Sequence, residues 1–324
     1  MQTSAIARTL LLALGVAVCA PALAQEWPQK TVRIINPFNA GTTTDSVARV
    51  IADRLQKRFG KPFVVESKPG AGGMIGTAEI ARAEPDGYTI GVSISGPLVM
   101  NLALYKKLPF DPLRDLAPIT LAVDQPCMLV ASNALNVSNV QELFAKFRKE
   151  PGKYNYALIG AGGTTHLVMA MLMARSGTKL EPIVYPGAPA AVAAMIRGDV
   201  HVGCLPAFGV LGQVKAGLVR GLAVSTARRA ALTPDIPTLR EQGFPDVVGS
   251  AWIGVVAPGK TPKPLLERIS KEVIAALRQP ESVELLAKQM MEVVADTPDE
   301  FDAFRREELQ RWKPIIEENH ISLD

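Results

Sequence analysis

The feature that most restricts this chain is the stretch from Val32 to Asp45, where a short apolar run gives way to a loop of small residues and then to a helix. Val32, Ile34 and Ile35 make a β-branched strand, Pro37 ends its ladder donation, and Val47, Ala48, Val50, Ile51 and Leu55 follow at helical spacing. Thr43, Thr44 or Asp45 can cap that helix. A helix start leaves N–H donors unpaired at the positive end of the dipole, and Gly41 lets a ligand approach the backbone. The loop is therefore suited to an anion.

The same grammar recurs. Pro62 to Glu66 reads as a strand, followed by the glycine-rich loop Pro69-Gly70-Ala71-Gly72-Gly73, and Tyr88 to Ser93 reads as another, ending in Ser95-Gly96-Pro97. The glycine loop has Ile75 where a dinucleotide fingerprint needs its last glycine, and the surroundings of Ser93 miss the nucleophile-elbow pattern by one residue. Further on, Asn155 to Ile159 is a strand emptying into Gly160-Ala161-Gly162-Gly163-Thr164-Thr165-His166, which opens a second helix. Strands alternating with helices predict mostly parallel sheets whose ligand side is the carboxyl end of the strands.

Two passages divide the chain. The run from Ile119 to Val130 is long enough to leave one domain and enter another, with the crossing near Asp124, and Ser250 to Pro258 carries the chain back. The expectation is one lobe from residues 25–124 plus 253–324, a second from residues 125–252, and a hinge between them.

Residues 1–24 read as a secretory signal peptide, with Arg8 ahead of the apolar run Leu10 to Ala20 and Ala22-Leu23-Ala24 at the cleavage site. Cys19 is a poor lipidation site because bulky Val18 precedes it. An exported periplasmic chain follows, long enough for two cores. Its formal charge of +4 falls by one when Arg8 leaves. With no Lys/Arg block and no basic-aromatic alternation, nucleic acid is not an expected partner. Cys127 and Cys204 survive processing and are expected as two buried thiols. No motif has metal-ligand spacing, so neither metal nor cofactor is expected.

Taken together, several motifs resemble a known family. They are Pro37-Phe38-x-Ala40-Gly41-x-x-x-Asp45-x-x-Ala48-Arg49, Pro69-Gly70-Ala71-Gly72-Gly73, Pro85-Asp86-Gly87-Tyr88-Thr89, Tyr185-Pro186-Gly187, Leu222-Ala223-Val224-Ser225 with Arg229, and Pro237-Thr238-x-x-Glu241-x-Gly243. In this order they are similar to the Bug (TctC-like) periplasmic solute-binding receptors of tripartite tricarboxylate transporters. The resemblance implies a two-lobed α/β Venus-flytrap of the periplasmic-binding-protein architecture, working as a monomer without catalysis. It would close on a small carboxylate held by backbone donors and bridging water, and deliver it to membrane transporter subunits. The chain departs from the family at Thr42, where a second glycine is common, and at Leu158, where a small polar residue is common.

The expected site comprises Phe38, Ala40, Gly41, Thr42, Thr43, Asp45, Gly72, Ser93 and Gly96 from the first lobe. From the second come Gly160, Gly162, Gly163, Thr164, Thr165, His166, Tyr185, Gly187 and Leu205. Leu205 stands where amino-acid-binding relatives place an aspartate, and no acidic residue lies between Asp199 and Asp235. An ammonium brought there would lack a partner, which favours a C4 to C6 dicarboxylate or an aromatic acid. Two rivals are a ligand sensor for a membrane histidine kinase and an exported hydrolase pairing His166 or His201 with Ser93 or Ser95.

Overall fold

The computed structural model describes residues 27–230 and 232–323. The expected signal peptide lies outside them. In chain order the first part runs β1 Val32–Asn36, α1 Thr43–Phe59, β2 Phe63–Ser67, α2 Met74–Arg82 and β3 Thr89–Ile94. A π-helical turn, Gly96–Met100, then leads into α3 Asn101–Leu104 and β4 Leu116–Asp124. The middle holds β5 Cys127–Ser132, α4 Val140–Lys149, β6 Asn155–Leu158, α5 Thr164–Ser176, β7 Glu181–Val184, α6 Ala188–Arg197, β8 Val202–Pro206, α7 Phe208–Lys215 and β9 Val219–Val224. The chain ends with β10 Ile253–Pro258, α8 Lys263–Leu277, α9 Pro280–Ala287, β11 Glu292–Val293 and α10 Pro298–Glu318.

Two sheets organise these elements. One has the order β11-β4-β10-β3-β1-β2 and the other β7-β6-β8-β5-β9. The chain passes between them twice, at Gln125-Pro126 and on the way to β10. The two crossings run side by side, with Ala251 N–H donating to Gln125 O at 2.7 Å and Pro126 bridging to Ser250.

The α/β architecture is the expected one, but the sheets are mixed rather than mostly parallel. β1 is parallel to β2 and β3, and β6 to β7 and β8, whereas β10 is antiparallel to β3 and β4, and β5 to β8 and β9. The reason lies in the double crossing. The parallel strands point their carboxyl ends at the other lobe, so β5 and β10, which carry the chain away from a crossing, must run the opposite way.

Packing follows the patterning. β1 is buried at every position except Arg33, whose guanidinium reaches Glu66 at 2.8 Å and Glu79 at 2.6 Å. Trp27 ties down the start of the described chain, donating its indole N–H to Gly87 O at 2.9 Å and meeting Phe59 and Phe63 edge-on. The last helix starts with a capping box between Thr297 and Glu300. It buries Phe301 and Trp312, and packs on β4 and on the π-helical turn. Cys127 and Cys204 are both buried free thiols on the paired strands β5 and β8.

Candidate functional site

The loops at the carboxyl ends of β1 and β3 face those of β6, β7 and β8, and a cavity lies between them. It offers about 70 Å³ to the centre of a water molecule. One water needs on the order of 10–15 Å³ by this measure, so the space suits several waters or a compact organic acid. A larger open groove, about 680 Å³, runs outside the crossing past Asp124, Arg228 and Met290, and the residues at the starts of α1 and α5 are not part of its lining.

The cavity is built on two helix starts. α1 begins after Thr42, which is the cap position in extended conformation. This corrects the expectation that Thr43, Thr44 or Asp45 caps it. The Thr42 side chain caps nothing, since its hydroxyl donates to Asn39 O at 2.7 Å. The amides of Thr43, Thr44 and Asp45 therefore have no acceptor among the described residues, and the first helical bond is made by Ser46 N–H to Thr42 O. α5 begins after Gly163, and there Thr165 N–H is the unengaged donor, because Thr164 N–H is taken by Ser95 Oγ at 3.0 Å. Both dipoles are positive at these ends.

Of the expected residues, Phe38, Gly41, Thr42, Thr43, Gly160, Gly163, Thr164, Thr165 and Gly187 line the cavity. The others lie away from the lining, each for a visible reason. Ala40 is exposed. Asp45 turns back, accepting from Gly41 N–H at 3.0 Å and from Arg49 Nε at 2.8 Å. Ser93 is fully buried against Thr77 Oγ1 at 2.7 Å. Tyr185 is half-buried outside the cavity. Leu205 is a fully buried core residue packed in the second lobe with Met128 and Val130, and the residue of β8 that reaches the cavity is Pro206.

Gly72, Gly96 and Gly162 hold the two lobes against each other instead. A Cβ on Gly72 would stand 2.9 Å from Ala161 N, and one on Gly96 3.1 Å from Gly163 N. Across the same seam Ser95 Oγ meets Thr164 Oγ1 at 3.0 Å.

His166 sits just behind the lining, where its Nδ1 accepts from Gly162 N–H at 3.3 Å. Burial pushes its pKa down to about 4, so the ring is neutral near pH 7. His201 bonds Asn155, Ser93 bonds Thr77 and Ser95 bonds Thr164. The serine–histidine pairing of the hydrolase reading is therefore not assembled.

The expected site left out much of the apolar wall, Ile94, Ile159, Phe208, Trp252 and Ile253, and the crossing residue Gln125, although the crossings themselves were expected near Asp124 and at Ser250 to Pro258. Gln125 directly follows the expected crossing, and that position was the available signal. The lining holds no Lys, Arg, His, Asp or Glu side chain.

A two-lobed α/β protein with opposed helix starts over an uncharged interlobe cavity is a solute-binding protein of the periplasmic-binding-protein fold. The family described as "Tripartite tricarboxylate transporter family receptor" matches residues 47–321, and this chain belongs to that family. It is 34% identical over 307 residues to the protein BugT of Bordetella pertussis, covering 94% of each chain. Among solved structures it is similar to an R. palustris protein with adipate, at 28% identity and TM-score 0.87, covering 92% of this chain and 99% of that one. It is also similar to MatC from Rhodopseudomonas palustris with bound malate, at 28% identity and TM-score 0.85, covering 90% of this chain and 100% of that one.

Proposed function

We propose that this chain is a periplasmic receptor that captures a small carboxylate between its lobes and delivers it to a tripartite tricarboxylate-type membrane transporter, acting as a monomer. The observation that carries this reading is the set of unengaged amides at the starts of α1 and α5, facing a cavity without a charged side chain. Such donors stabilise an anion through hydrogen bonds and the helix dipoles. The adipate and malate held by the two R. palustris relatives agree in chemistry. The lobes are residues 25–124 with 253–324, and residues 125–252.

The ligand lacks an amino group. Leu205 does not support this, being a core residue, but the lining does: with no carboxylate side chain there, a ligand ammonium would be desolvated without a counter-charge. Capture is a population shift toward the closed form, in which the Ser95 to Thr164 contact is made.

A thermal-shift panel tests the reading, because a ligand that binds only the native state adds roughly 2.7 kcal/mol at about 100 times its Kd. Dicarboxylates, tricarboxylates, aromatic acids, amino acids and nucleotides belong in it. A response confined to nucleotides would sink the receptor reading. Co-purification with a membrane partner, with and without the responding acid, then distinguishes a transporter from a sensor kinase.

A further inference from the structure

Behind the hinge stands a residue whose backbone is at odds with its type. α9 ends in a Schellman motif, with Met290 N–H donating to Ala287 O at 2.9 Å and Met291 N–H to Leu286 O at 3.0 Å. The motif puts Met290 in the left-handed region, at φ 58°. α1, α5 and α6 end in the same region on Gly60, Gly177 and Gly198, where an added Cβ would meet nothing within 4 Å. Glycine enters that region freely, whereas a side chain makes it strained. Met290 thus carries a strain that glycine avoids at three other helix ends, and only its side chain can compensate.

That side chain crosses between the lobes. Its backbone is held to the first lobe, because β11 follows on the edge of β4 and the Gln289 side chain accepts from Ser46 Oγ in α1. Met291 packs in the apolar cluster of that lobe, the one that includes Val123 and Leu286. Met290, only 7% exposed, packs instead in the cluster of the second lobe that includes Met128, Val210 and Val224.

The strand orders place this contact opposite the ligand. In the first sheet β4 and β10 separate β11 from the loops after β1 and β3, and in the second β5 separates β9 from β6, β7 and β8. The groove lined by Met290, β11 and the segment after β9 is therefore on the other side of the crossings from the cavity. A rotation about the crossings that opens the cavity must narrow this groove. With the lobes closed, as the Ser95 to Thr164 contact marks them, Met290 is already packed on the second lobe. Opening would press it further into a close-packed cluster, and its backbone, fixed by the two Schellman bonds, cannot retreat.

We propose that Met290 is a stop behind the hinge, which limits how far the lobes open and so keeps the free receptor near the arrangement that binds. Its effect on affinity rests on the carboxylate-receptor reading, since apparent affinity falls in proportion to the share of the binding-competent form.

The test combines small-angle scattering of the free protein with calorimetric titration by adipate and malate. Met290→Gly, which suits the left-handed backbone and removes the stop, should enlarge the free protein and weaken the acid that binds by about fivefold or more, leaving the loaded form unchanged. Met290→Leu, which keeps an apolar side chain of similar size, should stay within about twofold of the natural chain. Ala287→Trp adds bulk to the same groove from an exposed position on α9, and should make the free protein more compact and tighten binding about threefold or more. It also serves if the glycine variant fails to fold.

A Met290→Gly chain that only melts at a different temperature, with size and affinity unchanged, or an Ala287→Trp chain that binds no tighter, overturns the role of Met290 and leaves the receptor reading standing. If no carboxylate binds the natural chain the receptor reading falls, and the scattering of the free variants alone then decides: equal sizes overturn the stop.

Discussion

Gly187 and Thr42 face each other across the mouth of the cavity from opposite lobes, and a methyl group placed between them should hold the lobes apart. A Cβ built on Gly187 would stand 3.0 Å from Thr42 Cγ2, against roughly 3.5–4.0 Å for a relaxed carbon contact. The backbone at Gly187 is extended, so Gly187→Ala adds no strain there. Thr42 cannot rotate away freely, since its hydroxyl bonds both Asn39 O and Thr44 Oγ1.

Overpacking of this kind costs about 1–3 kcal/mol, and for one methyl we take the lower part, about 1–2 kcal/mol. The cost falls on the closed form alone, so the apparent affinity should drop about 5- to 30-fold with melting of the free protein nearly unchanged. Thr42→Ser removes the methyl that clashes and keeps the hydroxyl. The double variant should therefore return to within about twofold of the natural chain. Calorimetric titration with the acid that responds best in the thermal-shift panel decides this. Unchanged affinity in Gly187→Ala, or no recovery in the double variant, would refute the argument.

The same geometry sets other outcomes. Burial lowers the His166 pKa from 6.5 to about 4, so the folded chain takes up its proton later than the unfolded one. Stability from this group is complete above about pH 6.5 and is lost as pH falls toward about 4, by roughly 3 kcal/mol in all. Urea melts of His166→Asn should show a shallower loss over that window, and a parallel profile would contradict the burial argument. Ser95→Ala removes an interlobe hydroxyl and orphans Thr164 N–H, so ligand affinity should fall about tenfold in the same titration, with helical content by circular dichroism unchanged. Trp252 lines the cavity while Trp27 and Trp312 do not, so ligand should change the fluorescence of the natural chain but not of Trp252→Phe. Scattering of ligand-loaded protein should match the compact form with the lobes in contact, and free protein should be more extended.

The residues alone specified the local units. Alternation of β-branched runs with helical spacing located β1 and α1, and β6 and α5, because these signals lie within a few consecutive residues. The glycine and threonine loops between them were legible for the same reason. Leu205 was not, because every residue of β8 is buried and no polar alternation marks the member that reaches the cavity. The sense of the sheets was equally hidden, since strand direction depends on where the crossings fall rather than on the residues of any strand. Only tertiary packing brought Gln125 from one crossing beside Ala251 from the other, and Phe208 and Trp252 onto the same wall. It also turned Gly72 and Gly96 from loop residues into interlobe contacts, since close approach depends on what stands opposite.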